Sequence, residues 1–268
     1  ENTIYSYNFH MEINNSSPPV RKAFDIIFNN VYYAIFHKNK FFISDTENHR
    51  IIITDLNFYV IQILGDNDNI TQKLILPKNI EFDINDNIYI LQRKNIIKIS
   101  NDYETWDYLN IIGSIFDSFI LNSFVILEEK LWIFGVEGTI NSYPSIFIMN
   151  ISNKYPKLLN IYGNKSYLIK KYNNIDFISC EAKDIAIRSN YIYVSINGDS
   201  SQNVVLKIDI NNGDIISCYK PPRDWSPSFI DIGYNHLLVL DESNNRILKF
   251  DLEYKYVLQE INLDINII

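Results

Sequence analysis

Two stretches of the sequence carry Asp, Asn and Arg at the same spacing. The stretches are ISDTENHRIIITD (43–55) and VLDESNNRILKFD (239–251), and their shared residues are Asp45, Asn48, Arg50, Asp241, Asn244 and Arg246. A carboxylate, a histidine and a guanidinium that lie close together are suited to acid–base chemistry, and His49 lies inside the first stretch. The second stretch has Asn245 at that position, so the shared pattern does not depend on a histidine.

A catalytic group is needed once in a protein, whereas a turn-forming group is needed in every repeat. The short side chains of Asp and Asn hydrogen-bond backbone amides and shape turns. An arginine at the start of the next strand can pair with the aspartate before the turn. We therefore expect the six shared residues to build turns, and we predict no catalytic residue among them.

The other reactive side chains do not follow a metal-binding or nucleophilic pattern. The histidines are scattered, at His10, His37, His49 and His236. Their spacing is not that of zinc ligands, and the sequence has no Gly-x-Ser-x-Gly elbow. Glu128–Glu129 reads as a solvated turn, and the loop with Asp66 and Asp68 lacks the ligand spacing of an EF-hand. The sequence therefore predicts no metal and no other cofactor, although side chains from several repeats could still converge on one site.

The segment YKPPRDWSPSF (219–229) is the most promising binding element. It places Tyr219, Arg223 and Trp225 among three prolines. Rigid aromatic and arginine side chains are favoured contacts in protein interfaces. These three residues therefore predict a site for another protein or a peptide, with Trp106 and the loop 135–145 as weaker candidates.

Composition narrows the classes of partner. The chain has 268 residues, 47% hydrophobic and 21% charged, with a net charge of -8. This acidity disfavours nucleic acid and anionic membranes, which require a basic face. No apolar run is long enough to span a bilayer, so no direct membrane insertion is expected.

The ends and the cysteines leave the compartment open. The chain begins at Glu1 without a signal-peptide pattern, so we expect a processed or truncated product, and an extracytoplasmic location stays open. Two buried thiols are favoured over a disulfide for Cys180 and Cys218.

The elements that would position these residues are short strands that repeat along the chain. Apolar segments rich in β-branched and aromatic residues alternate with Asn, Asp, Gly and Ser, which predicts an all-β protein. A strand ending in Asp, Asn or Ser recurs about every 40 to 60 residues. These ends are Asn8, Asp55, Ser100, Asn150, Asp209 and Asp251.

Four strands per repeat are typical of propeller blades. The six strand ends predict a six-bladed β-propeller with four-stranded antiparallel blades, formed by residues 1–268 as a single domain. Residues 2–13 align with 245–257, so the closing blade is expected to be shared by both termini.

The stretches SDTENHRIIITD and LDESNNRILKFD resemble NHL repeats, whose blades carry an Asp-x-x-Asn-x-Arg-Ile element between the second and third strands. The similarity at this level covers two blades. The resemblance implies a six-bladed propeller that serves as a binding platform, as in signalling receptors and RNA-binding members, and a few members are enzymes. We favour a non-enzymatic scaffold for protein–protein interaction. The alternative is a propeller lyase or hydrolase with a metal in the central channel.

Overall fold

The computed structural model describes residues 26–65, 72–92, 95–109, 119–137, 142–151, 157–162, 169 and 171–263. The described residues form β-strands, short turns and two 3₁₀ turns at Thr46–Asn48 and Glu242–Asn244. The all-β class predicted from the sequence is confirmed for this part of the chain. No helix among the described residues has the length and apolarity needed to cross a membrane.

The chain divides into two compact units, 1–109 and 110–268. The first unit has two four-stranded antiparallel sheets. The strands of one sheet are β1 (Val31–His37), β2 (Lys40–Asp45), β3 (Arg50–Thr54) and β4 (Val60–Leu64). The strands of the other are β5 (Pro77–Phe82), β6 (Ile88–Gln92), β7 (Asn95–Ile99) and β8 (Trp106–Leu109).

The second unit has three four-stranded antiparallel sheets and one small hairpin. The first sheet has β9 (Phe119–Leu127), β10 (Lys130–Glu137), β11 (Pro144–Asn150) and β12 (Lys157–Tyr162). The hairpin is β13 (Lys171–Tyr172) and β14 (Ile175–Asp176). The second sheet has β15 (Glu181–Arg188), β16 (Tyr191–Asn197), β17 (Val204–Asp209) and β18 (Ile215–Tyr219). The third has β19 (Pro227–Ile232), β20 (His236–Asp241), β21 (Arg246–Asp251) and β22 (Val257–Asn262).

The strand ends used to detect the repeat lie in equivalent places. Each of the five described ends closes or directly follows the third strand of a sheet. Asp55 Oδ1 accepts hydrogen bonds from the backbone amides of Asn57 (2.9 Å) and Tyr59 (2.8 Å). Asp251 Oδ1 likewise accepts from Glu253 N at 2.8 Å. The acidic strand end therefore marks the turn that reverses the chain into the fourth strand.

The predicted count of six blades is wrong for the described residues, which form five four-stranded sheets. The sixth strand end, Asn8, and both terminal segments of the expected shared blade (2–13 and 264–268) lie outside the described residues. The sheet β19–β22 takes all four strands from one continuous segment, 227–262. A closing blade shared by the termini is therefore not seen.

Strands that are apolar on both faces pack sheet against sheet. In the first unit, buried isoleucines of β3 and β5–β7 form one core with Phe42 and Leu64. In the second unit, one core joins sheets β9–β12 and β15–β18, and another joins β15–β18 and β19–β22. Burial on both faces explains why the sequence alternates weakly between apolar and polar residues. Both cysteines are free thiols; Cys180 is buried, as predicted, whereas Cys218 is half-buried.

Candidate functional site

The first repeated motif lies in the turn between β2 and β3. The buried Asp45 carboxylate accepts hydrogen bonds from Arg50 Nε at 2.7 Å and Asn48 Nδ2 at 3.0 Å. It also accepts from the backbone amide of Asn29 at 2.8 Å. Arg50 and Asn48 each donate to the carbonyl oxygen of Ile27 at 3.1 Å. The motif therefore holds both its own turn and the connector that enters β1.

The second motif repeats these contacts between β20 and β21. The buried Asp241 accepts from Arg246 Nε at 2.7 Å and from Asn244 Nδ2 at 2.9 Å. It also accepts from Ser226 N at 2.9 Å, and Asn244 donates to Asp224 O at 3.1 Å. Sequence reasoning identified the turn but missed the connector, because no local pattern shows which upstream amide the aspartate will meet.

The electrostatics of the second motif keep both partners charged. Burial acts to raise the pKa of Asp241, but hydrogen bonds from Ser226, Arg246 and Asn244 outweigh it, so the pKa is lowered. Burial acts to lower the pKa of Arg246, yet the carboxylates of Asp241 and Glu260 raise it overall. A carboxylate held ionised in this way is poorly suited to general acid catalysis. A turn-building role for the six motif residues remains our interpretation of these contacts.

His49 adopts a left-handed backbone conformation. It ends the 3₁₀ turn with φ 56°, and Asn245 occupies the equivalent place with φ 48°. Asn and His are among the residues that tolerate the left-handed region. His49 Nδ1 also accepts a hydrogen bond from Leu76 N at 3.1 Å. The exposed imidazole thus fastens the connector into β5.

The segment 219–229 does not present Tyr219 and Trp225 to solvent. Tyr219 is 0% exposed and Trp225 is 2% exposed, and both belong to the core between β15–β18 and β19–β22. Trp225 Nε1 donates to Asn203 O at 2.7 Å, and Asn203 Nδ2 donates to Trp225 O at 2.6 Å. Of the three predicted binding residues, Arg223 is exposed. The structure therefore does not bring the three together on one surface.

Large aromatic side chains are exposed at the opposite end of the sheet β19–β22. We define the tyrosine surface as Tyr234 (81% exposed), Tyr254 (68%) and Tyr256 (55%). The rings of Tyr254 and Tyr256 stack with centroids 6.3 Å apart. The Arg188 guanidinium lies 5.5 Å from the Tyr234 ring centroid and donates to Gly233 O. Sequence reasoning missed this surface, although the turns GYNH and EYKY each place tyrosine among polar residues.

A buried carboxyl joins the first strands of the three sheets in the second unit. Asp184 on β15 accepts from Ser123 Oγ of β9 at 2.5 Å and from Ile230 N of β19 at 2.9 Å. Ser195 Oγ of β16 accepts a hydrogen bond from Asp184 N at 3.0 Å and donates to Ser228 O of β19 at 2.5 Å. Burial raises the pKa of Asp184 to about 6. Its place in the core makes it a structural carboxyl whose protonated form is favoured by burial.

The remaining candidates from the sequence are dispersed. Within the described ranges, no group of three or more His, Cys, Asp or Glu side chains could hold a metal ion. Glu128 and Glu129 form the exposed turn between β9 and β10. Asp66 and Asp68 lie outside the described residues, as does part of the loop 135–145. Trp106 is half-buried and donates to Tyr103 O at 3.1 Å.

Comparison with solved structures identifies the fold. A chain of the nidogen/laminin complex matches with a TM-score of 0.60 and 13% identity, covering 84% of this chain and 76% of that one. The streptogramin B lyase structure matches with a TM-score of 0.58 and 13% identity, covering 87% and 69%. The chain has a β-propeller fold. A protein of unknown function from Bacteroides caccae is also similar, with a TM-score of 0.56, 12% identity, and coverage of 81% and 70%.

These likenesses concern the fold alone, because identity is low. No family model matches the chain, and no curated protein matches it. The NHL resemblance thus rests on the two motifs. Propellers similar to this one include both a member of a protein complex and an enzyme. Function must therefore be argued from the surfaces described above.

Proposed function

We propose that this propeller is a non-enzymatic scaffold that binds another protein or a peptide. The observation that carries the proposal is the tyrosine surface, three large rings exposed on adjacent turns of one sheet. Tyrosine and arginine are enriched among the residues that contribute most to protein interfaces. The two turns are joined by a hydrogen bond from Leu252 N to Asn235 O at 3.2 Å, so the rings are presented on a fixed base.

The segment 219–229 supports a second contact. Buried Tyr219 and Trp225 and the hydrogen bonds to Asp241 and Asn244 hold this connector in place. A loop that is already ordered loses little conformational entropy on binding. Arg223 is therefore proposed as a contact residue, whereas the two rings act by fixing the loop.

Capture of a partner tests the proposal. Wild-type protein and the triple variant Tyr234→Ser, Tyr254→Ser, Tyr256→Ser are immobilised and exposed to extract of the source cells. A specific partner should bind the wild type and be lost from the triple variant. The matched control is Ile84→Ser, which removes a 91% exposed apolar side chain from a turn of another sheet. Equal capture by the triple variant and the wild type would contradict the tyrosine surface, and Arg223→Ala separately tests the connector.

The alternative function, a lyase or hydrolase with a bound metal, has one point in its favour. The streptogramin B lyase structure shows that an enzyme has a similar fold. Elemental analysis of the purified protein after dialysis distinguishes the two functions. A stoichiometric metal ion would favour the enzyme.

A further inference from the structure

A cleft of about 430 Å³ opens between the sheets β9–β12 and β15–β18, within the second unit. This volume lies in the range of small-molecule sites. Its floor contains Trp132 and Ile148, which pair across β10 and β11 and are both buried. Its rim is polar on both sides, and it belongs to neither the tyrosine surface nor the connector.

The rim of the cleft carries five polar side chains. One wall contributes Glu128 and Lys130, and the other contributes Ser189, Asn190 and Asn211. None of these five side chains makes a hydrogen bond or ion pair with another residue in the described part of the chain. Together they offer an acceptor, a cationic donor, and three uncharged groups that can both donate and accept.

The backbone of the Glu128–Glu129 turn places Glu128 at the rim of the cleft. Both residues are left-handed, with φ 50° and 57°. Two-residue turns of this kind favour Asn and Gly. Lys38 and Asn39 form a left-handed pair in the turn between β1 and β2 as well, so the conformation belongs to the hairpin and the proposal rests on the lining of the cleft.

We propose that this cleft binds a saccharide, one hexose-sized residue at a time. A sugar ring has an apolar C–H face that can lie over the small exposed parts of Trp132 and Ile148, each 5% exposed. Its hydroxyl groups point outward around the ring and both donate and accept, which matches rim groups on both walls. A zwitterionic amino acid would use Glu128 and Lys130 on one wall but leave the amides of Asn190 and Asn211 unused.

The test is a titration of the full chain with glucose, galactose, mannose and N-acetylglucosamine. Binding is measured by saturation-transfer NMR and by tryptophan fluorescence. At least one sugar should bind saturably. Asn190→Ala and, independently, Asn211→Ala should each weaken that binding about tenfold, as expected for loss of one hydrogen bond to a ligand. Both residues lie in exposed turns, so the variants should fold.

Asn235→Ala is the matched control. Asn235 lies in the equivalent turn of the sheet β19–β22. The backbone carbonyl of Asn235 accepts a hydrogen bond from Leu252 N, just as the backbone carbonyl of Asn190 accepts one from Ile210 N. The control should bind the sugar as the wild type does. The proposal is overturned if no sugar binds saturably, if Asn235→Ala loses as much affinity as Asn190→Ala, or if alanine or glycine binds in place of the sugars. None of these results depends on whether a protein partner exists.

Discussion

Replacing Asp184 with asparagine should remove a pH-dependent loss of stability of about 3 kcal/mol. Burial raises the pKa of this carboxyl from 3.8 to about 6, a difference of about two units at 1.36 kcal/mol per unit. Because the folded-state pKa exceeds the unfolded one, the folded state binds the proton more tightly. The destabilisation is absent below pH 3.8, grows as pH rises, and is complete above about pH 6.

The assay is urea denaturation of wild type and Asp184→Asn from pH 4 to pH 8. Comparing the two proteins at each pH cancels the titration of all other groups. The free energy of unfolding of the wild type should fall relative to the variant by about 2 kcal/mol between pH 4 and pH 7, the part of the total that this range covers. Asp107→Asn, an exposed carboxyl on β8, is the control and should follow the wild type. A constant difference between wild type and Asp184→Asn across this range would refute the reasoning.

Three further variants test the surrounding structure by chemical denaturation. Asp241→Ala should lower the free energy of unfolding by about 3–5 kcal/mol, because it leaves the buried Arg246 guanidinium without its main partner. Trp225→Ala should cost about 3–5 kcal/mol as a core truncation, whereas Arg223→Ala should stay within about 0.5 kcal/mol of the wild type. Glu128→Asn combined with Glu129→Gly should raise stability by about 1 kcal/mol by relieving the left-handed turn.

Each of these variants has an outcome that contradicts the structure. A small effect of Asp241→Ala would mean that the motif does not fasten the connector. A small effect of Trp225→Ala would place this ring on the surface. A loss of stability in the turn variant would show that the two glutamates make stabilising contacts.

The sequence was sufficient for the fold class because its signals are local. Asp55 and Ser100 follow third strands and Asp251 ends one, and the hydrogen bonds that these residues make in the turns span a few positions. The predicted count of six blades relied on one matching strand at 2–13, which lies outside the described residues. A strand pattern shows a strand but does not show which sheet completes it.

The site could be predicted only in part, because burial is decided by packing between distant segments. Tyr219 and Trp225 read as loop aromatics, yet Phe250 and Leu252, far along the chain, cover them. Asp184 reads as a polar residue in an alternating strand, but β9 and β19 enclose it. Nothing within a window of one strand distinguishes these from exposed residues.

Titration calorimetry with a purified partner tests the central claim most directly. The free energy of unfolding is measured on the same samples. The account predicts that serine at Tyr234, Tyr254 and Tyr256 weakens binding at least tenfold. It also predicts that this triple variant unfolds with nearly the wild-type free energy, because the three rings are exposed. Unchanged affinity in the triple variant, or a loss of affinity that merely follows a loss of stability, would contradict binding through the tyrosine surface.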